Sequence, residues 1–258
     1  MGLHLAFPHL ITYRKTNSDV FFELGLRVDG RRPAELRKIT STTSVLSQAD
    51  GSAYLEHGNT KVLAAVYGPR EPRHRALVVH DRAILNVEFN IAPFSTGERR
   101  RRTKNDKRLL EMASFVKQTF EPVVVTTLYS RSQIDIYLQV IQQDGGVLQA
   151  CINAATMALI DAGVAMTDYV CACTAGWVER EAAIDLNHTE ESSDASEVTI
   201  AMLPKSGKIT LAQMESRLHV DKLEEVLQLA GEGCKQIHLV VDKTIRDRAE
   251  DLARKLAV

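Results

Sequence analysis

Two adjacent glycines, Gly145 and Gly146, stand between a strand-like segment and a helix-like segment, and this junction constrains the fold of the whole chain. Residues 134–141 alternate in the manner of a β-strand, whereas the apolar residues after the glycines adopt helical spacing. Glycines at such a corner let the backbone approach a ligand closely, and the N–H groups that begin a helix bind anions, phosphate in particular. The junction therefore predicts the backbone of a phosphate cradle.

The first helical turn after the glycines does not complete such a site. A phosphate cradle of this design normally adds a hydroxyl group and an arginine to the backbone amides. Those two places hold Val147 and Leu148. The sequence thus combines the corner of a phosphate site with an apolar first turn.

The overall composition is that of an ordinary globular protein. The chain has 258 residues, of which 45% are hydrophobic and 25% are charged, and its formal net charge is −1. Such a chain can bury a large core, as one domain or two fused halves, and any site for a polyanion must come from local clusters of charge. The four cysteines lie in apolar segments and are expected to be buried, reduced thiols. We find no signal peptide and no apolar stretch of membrane-spanning length, which predicts an intracellular protein in a reducing compartment.

The order of predicted elements, strands followed by helices and then the same again, is typical of an α+β fold with mixed sheets. The predicted strands and helices cover residues 39–48, 52–56, 60–67, 83–90, 107–120, 133–141, 148–162, 169–178, 182–186, 197–202, 208–214 and 218 to about 256. Residues 68–75 are expected to form a loop because their two prolines exclude ladder pairing. The last helix is expected to break near Gly231 and Gly233, and residues 1–25 read as an extension.

Basic residues cluster around position 100. This density of like charge favours a polyanionic partner, bound through its phosphates, over the alternative of a solvated surface loop. Few aromatic residues lie nearby, so tracking of a nucleic-acid backbone is favoured over base stacking. The candidate contacts in this cluster and in the preceding loop are Arg70, Arg73, Arg75, Arg99, Arg100, Arg101, Arg102, Lys104, Lys107 and Arg108.

Acidic residues cluster between positions 179 and 197. Asp185 follows an apolar strand, and Glu191 lies six residues later. Such a pair of carboxylates could hold a divalent metal or serve as a general acid, and a solvent-facing acidic loop is the alternative. His188 is left out of the site, whereas Arg131, between two serines, could orient an anion or form a structural ion pair.

Several motifs, in order along the chain, resemble the RNase PH family and, within it, the ring subunits of the eukaryotic RNA exosome. They are Leu26-Arg27-Val28-Asp29-Gly30-Arg31, Gly68-Pro69-Arg70-Glu71, Ser130-Arg131-Ser132-Gln133-Ile134-Asp135-Ile136, Gln143-Asp144-Gly145-Gly146 and Asp185-Leu186-Asn187. The resemblance runs from about residue 24 to the end. It implies an RNase PH-like fold of two β-α-β-type halves with ribosomal-protein-like topology, at about 26–163 and 164–258. It also implies a ring of six subunits around a central channel, which single-stranded RNA enters with its 3′ end first.

Active members of this family cleave RNA by phosphorolysis, and the resemblance implies where this chain departs from them. The family pattern at the strand-to-helix turn is Gly-Gly-Thr/Ser-Arg, so Val147 and Leu148 replace the hydroxyl and the arginine. Asp185 matches the first family carboxylate, whereas Glu191 stands in place of an aspartate. Lys107 and Arg108 match a basic pair that contacts the RNA backbone. Without the arginine, phosphate would lie beside Leu148 with its charge unpaired, which predicts that catalysis is lost.

The leading hypothesis is therefore a non-catalytic RNA-binding ring subunit with no metal and no cofactor. The resemblance implies that its partners are single-stranded RNA, other RNase PH-like subunits of a hetero-hexameric ring, RNA-binding cap subunits and a hydrolytic nuclease of the RNase II type. It implies a location in the nucleus, nucleolus and cytoplasm. The alternative is a phosphate-dependent 3′-to-5′ exoribonuclease that uses Asp185 and Glu191, with phosphate held by Arg108 and backbone amides. A metal-dependent hydrolase has little support because no ligand spacing is recognisable.

Overall fold

The computed structural model describes residues 26–72, 79–99, 106–178, 181–193 and 195–256. The strands are β1 (Ile39–Thr43), β2 (Gly51–His57), β3 (Thr60–Arg70), β4 (Ile84–Ile91), β5 (Gln133–Gln142), β6 (Cys171–Val178), β7 (Glu181–Ile184), β8 (Ser196–Leu203) and β9 (Lys208–Met214). The helices are α1 (Lys107–Phe120), α2 (Val147–Asp161), α3 (His188–Glu191) and α4 (Val220–Leu256), with a 3₁₀ turn at Thr126–Tyr129.

These elements form two sheets and confirm the predicted α+β class. The first sheet has the order β1-β2-β3-β5-β4, in which only the β4–β5 pair is parallel, and the second is antiparallel with the order β7-β6-β8-β9. The predicted strands at 39–48, 52–56 and 60–67 correspond to β1, β2 and β3, which form an antiparallel meander. One hydrophobic core joins residues of both sheets. Of the helices in the described residues, none is long and apolar enough to cross a bilayer.

Helix α2 is the centre of this core. Every residue from Leu148 to Leu159 is buried, and α2 packs against β2 and β3 on one side and β6 on the other. Its backbone lies directly on β2, since a Cβ atom added to Gly51 would meet the carbonyl oxygen of Ala158 at 2.3 Å. A helix buried all round needs partners for its polar side chains. The rest of the fold is therefore built around the helix that the two glycines introduce.

Two polar side chains of α2 bind the backbone of the second sheet. The Gln149 Oε1 atom accepts a hydrogen bond of 2.6 Å from the Thr174 amide. Asn153 both accepts from the Ala172 amide, at 2.8 Å, and donates to the Ala172 carbonyl, at 2.9 Å. Because these residues are four apart, they lie on one face of the helix. They fix α2 against β6.

The prediction of a loop at residues 68–75 is wrong for its first residues. Strand β3 continues through Pro69 to Arg70, which pairs with Gln133 of β5. A register shift between Tyr67 and Arg70 interrupts the β3–β5 ladder at Pro69. The ladder therefore does not require the backbone N–H group that proline lacks. The remainder of that loop, residues 73–78, lies outside the described residues.

Two predictions about helices also need correction. The helical spacing of apolar residues in α1 predicts that Leu109, Leu110, Met112, Ala113 and Val116 face inward, but Leu110 is 58% exposed. Helix α4 runs without the predicted break at Gly231 and Gly233. Gly233 instead permits close packing, because a Cβ atom there would lie 2.6 Å from the Cys173 Sγ atom. The four cysteines are free and buried as predicted, and burial raises the pKa of the Cys234 thiol to about 12.

Candidate functional site

The Gly145–Gly146 corner has the backbone that only glycine adopts readily. Both residues have positive φ, 80° and 61°, and Gly146 is the N-cap of α2. A Cβ atom on Gly145 would lie 2.5 Å from the Leu186 carbonyl oxygen, so the corner packs against the backbone that follows β7. The glycines thus bring the start of α2 and the acidic segment together.

The amide at this corner already has an acceptor. The Gly146 N–H group donates a hydrogen bond of 2.5 Å to the Glu191 Oε1 atom, at the last residue of α3. Burial raises the pKa of Glu191, and this hydrogen bond and Arg37 offset the rise in part. The predicted site residue Glu191 therefore lies in the predicted cradle, bound to its amide.

A cavity of about 130 Å³ lies beside the corner, between α1, β4, β8 and β9. Its lining combines apolar side chains with carboxylates. The apolar lining is Phe89, Ile91, Leu109, Met112, Val147 and Leu148, and the acidic lining is Asp106, Glu191, Glu197 and Glu215. Arg108 is the one cation among the lining residues. Burial, together with Glu191 and Glu215, raises the pKa of Glu197 to about 7. This lining disfavours an anionic ligand.

The first turn of α2 contributes packing to that wall. Leu148 is only 6% exposed and belongs to the hydrophobic core, and the partly buried Val147 packs against the same core. Neither side chain can donate a hydrogen bond. At the two positions where a phosphate site carries its hydroxyl and arginine, the structure has apolar contacts.

The other predicted carboxylate, Asp185, is fully buried and does not line the cavity. Its carboxylate accepts three hydrogen bonds from Arg37, of 2.7, 2.8 and 2.9 Å, and one of 2.7 Å from the Gln149 Nε2 atom. The His57 Nε2 atom lies 3.1 Å from Oδ2. Burial alone would raise the pKa of Asp185, but His57 and Arg37 hold it well below its ordinary value. Asp185 therefore acts as the anion of a buried ionic cluster.

Arg37 links this cluster to the glycine corner. Its Nη1 atom donates to the Asp144 carbonyl at 2.5 Å, and its Nη2 atom donates to the Gly145 carbonyl at 3.3 Å. The Arg37 guanidinium therefore donates its hydrogen bonds to Asp185 and to these two backbone carbonyls, all of which belong to the protein. It is an arginine beside the cradle, but it does not replace the one that a phosphate fork requires.

The basic residues occupy different environments. Lys107 and Arg108 are exposed in the first turn of α1, after the N-cap Asp106, and Arg99 is exposed at the end of its segment. Arg70 forms an ion pair with Asp135 and lies over the Tyr67 ring, 5.5 Å from its centroid. The other predicted contacts lie outside the described residues: Arg73, Arg75, Arg100, Arg101, Arg102 and Lys104.

The remaining candidates are surface residues. Arg131 is exposed, has a positive φ of 59° and lies just before Ser132 and β5, whereas His188 is exposed at the start of α3. The acidic segment is not simply a solvent-facing loop, because Glu190 is fully buried and paired with Arg27.

Within the described ranges no group of three His, Cys, Asp or Glu side chains is arranged to hold a metal ion.

Sequence reasoning missed the partners of Asp185. Arg37 and His57 precede it by more than a hundred residues and carry no local motif. Gln149 had a signal, since a glutamine within an apolar helical run calls for a buried partner. Glu197 ends the acidic cluster seen in the sequence, whereas Glu215 lies outside that cluster, and only the fold places the two beside one cavity.

Comparison with known families decides the relationship. Residues 35–165 match domain 1 of the 3′ exoribonuclease family, RNase PH, and residues 168–233 match domain 2. The chain belongs to the RNase PH family. This confirms the resemblance in the motifs and the RNase PH-like fold. The division into halves at about 163 and 164 remains a prediction.

Among curated proteins, the chain is similar to exosome components over about nine-tenths of its length. It is 50% identical to exosome complex component RRP41 of Bos taurus over 234 residues, covering 90% of this chain and 96% of that protein. It is 45% identical to the RRP41 homolog of Arabidopsis thaliana, covering 90% and 97%. An archaeal relative, Rrp41 of Methanopyrus kandleri, is 42% identical, with coverage of 88% and 94%.

Solved structures share the fold. The crystal structure of rice (Oryza sativa) Rrp46 has a TM-score of 0.75 and 26% identity, covering 84% of this chain and 99% of that one. The Archaeoglobus fulgidus exosome with RNA bound to the active site has a TM-score of 0.71 and 22% identity, covering 83% and 91%. The second likeness supports the fold alone.

Proposed function

We propose that this RNase PH family member is a non-catalytic, RNA-binding ring subunit of an RNA exosome. The observation that carries the proposal is the first turn of α2, where Val147 and Leu148 pack against the core and give the cavity wall no group that could bind a phosphate. An apolar turn cannot hold the nucleophile of a phosphorolytic reaction. The similarity to exosome components along the chain supports the ring assignment.

The proposal includes the partners implied by the family. The chain assembles with other RNase PH-like subunits into a hetero-hexameric ring, contacts RNA-binding cap subunits, and passes single-stranded RNA to a hydrolytic nuclease of the RNase II type. It serves rRNA processing and the decay of mRNA and non-coding RNA in the nucleus, nucleolus and cytoplasm. The exposed Lys107 and Arg108 support a role on the RNA path, because such side chains bind phosphates of any sequence.

A phosphorolysis assay tests the loss of catalysis. The full chain, alone and with its ring partners, is incubated with single-stranded RNA, inorganic phosphate and magnesium. No nucleoside diphosphate is expected. Phosphate-dependent release of diphosphates, lost in a Glu191→Ala variant, would overturn the proposal in favour of an active 3′-to-5′ exoribonuclease.

Charge reversal tests the RNA path. In the assembled ring, Lys107→Glu with Arg108→Glu is expected to weaken RNA binding and to reduce the slope of log affinity against log salt by about 2. The matched control is Lys235→Glu with Lys243→Glu, which makes the same change in net charge at exposed positions of α4. Equal weakening by both pairs would contradict a localised path.

A further inference from the structure

The anion-binding group that the family fold retains is the amide of Gly146, at the N-terminus of the 15-residue helix α2. An amide N–H group donates one strong hydrogen bond at a time. In this chain that bond ends on the Glu191 carboxylate, 2.5 Å away. A carboxylate is an anion, and the start of a helix favours negative charge. The cradle is therefore not simply incomplete, since it contains an anion supplied by the chain itself.

The segment that carries Glu191 is held firmly. Asn187 and Glu190 form a capping box, in which each side chain accepts from the other residue's amide at 2.9 Å. Glu190 is also paired with the fully buried Arg27. These contacts fix α3, so the Glu191 carboxylate needs little further ordering to reach Gly146.

We propose that Glu191 is a permanent internal occupant of the phosphate cradle, which excludes inorganic phosphate by holding the Gly146 amide and by repelling its charge. The resemblance to the family places an aspartate at this position, and glutamate reaches one methylene farther. The inference rests on the proposed function and deepens it. It assigns the exclusion of phosphate to two independent causes, the apolar turn and the carboxylate.

The test restores the missing groups with and without the occupant. Inorganic phosphate is titrated calorimetrically into four full-length proteins: wild type, Val147→Thr with Leu148→Arg, the same pair with Glu191→Ala, and the same pair with Glu215→Ala. Glu215 lines the same cavity and matches the loss of charge. The variant that lacks Glu191 is expected to bind phosphate at least tenfold more tightly than any of the other three proteins.

Equal phosphate affinity with Glu191 present would overturn the inference, as would equal affinity in the Glu215→Ala variant. No binding in any variant, with melting temperatures unchanged, would also overturn it. Amide hydrogen exchange at Gly146 gives a second readout without the restored groups, since Glu191→Ala alone is expected to remove its protection. The proposed function has a separate test, because it would be contradicted by phosphorolysis of RNA by the wild-type chain.

Discussion

At the residue scale, Asp185 shows how a family carboxylate can act as a structural anion. It is fully buried and bound by Arg37, Gln149 and His57, so none of its surface is open to a reacting group. A buried ion pair adds little to stability compared with an apolar replacement of both partners. Removing only one partner, however, leaves the other charge buried and unpaired. Asp185 therefore contributes to the stability of the folded chain and has no exposed carboxylate that could take part in a reaction.

Asp185→Asn is expected to lower the free energy of unfolding by about 3–5 kcal/mol, because it leaves the Arg37 guanidinium without its counter-charge. Urea denaturation at neutral pH measures this. The lowered pKa of Asp185 gives stability that is present above its ordinary value of 3.8 and lost as the pH falls through the folded-state value. The difference between the two proteins should accordingly shrink in acid. Asp221→Asn, at an exposed position, should change little.

Glu197 is expected to have the opposite effect. Its pKa, raised to about 7 by burial and by Glu191 and Glu215, means that the folded chain retains a proton that the unfolded chain releases near 4.5. Stability should fall as the pH rises from 4.5 through 7. Glu197→Gln should therefore raise the melting temperature at pH 8 but not at pH 4. Glu232→Gln, on the exposed face of α4, should show no such difference.

At the element scale, helix α4 contains two glycines with different surroundings. A Cβ atom at Gly231 would meet only the Met202 sulfur at an ordinary 3.9 Å, whereas one at Gly233 would lie 2.6 Å from Cys173. Glycine inside a helix is disfavoured relative to alanine by its conformational entropy, yet a close approach to a neighbour can require it. Only the second glycine has a packing reason to be there.

Gly231→Ala is expected to raise the free energy of unfolding by about 0.5–1 kcal/mol. Gly233→Ala should lower it by about 1–3 kcal/mol through overpacking. Chemical denaturation of both variants compares them directly. The double variant Gly233→Ala with Cys173→Ala should recover part of the loss, and equal effects at the two glycines would contradict this packing.

Most elements could be predicted from the sequence because their periodicity is local. Helix α1 and strand β9 have the predicted bounds, β5 differs by one residue at its end, and α2 differs by one residue at each end. The continuation of β3 through Pro69 could not be predicted, because it depends on a register shift against β5, about seventy residues away. The cradle was visible from Gly145 and Gly146. The sequence also indicates Glu191, as a metal ligand or general acid, but its contact with Gly146 exists only in the folded chain.

At the scale of the whole molecule, α2 makes the two sheets interdependent. It packs on β2 and β3 and binds the backbone of β6, so neither sheet keeps its core without it. Trp177, in β6, is the one tryptophan of the chain. Its fluorescence and the far-UV circular dichroism are therefore expected to report a single, coincident urea transition. Separate midpoints would show that the sheets unfold independently.

The ionic cluster at Arg37 also bears on the synthesis of the chain. Arg37 and Asp185 are 148 residues apart, and ribosomes add about 5–20 residues per second. For about 7–30 s, the nascent chain therefore carries Arg37 without the carboxylate that will bind it. The first sheet can form its hairpins during that interval, but it reaches its final arrangement only after β7 has left the ribosome. The N-terminal half thus completes its folding only after the part of the C-terminal half that carries Asp185 has emerged from the ribosome.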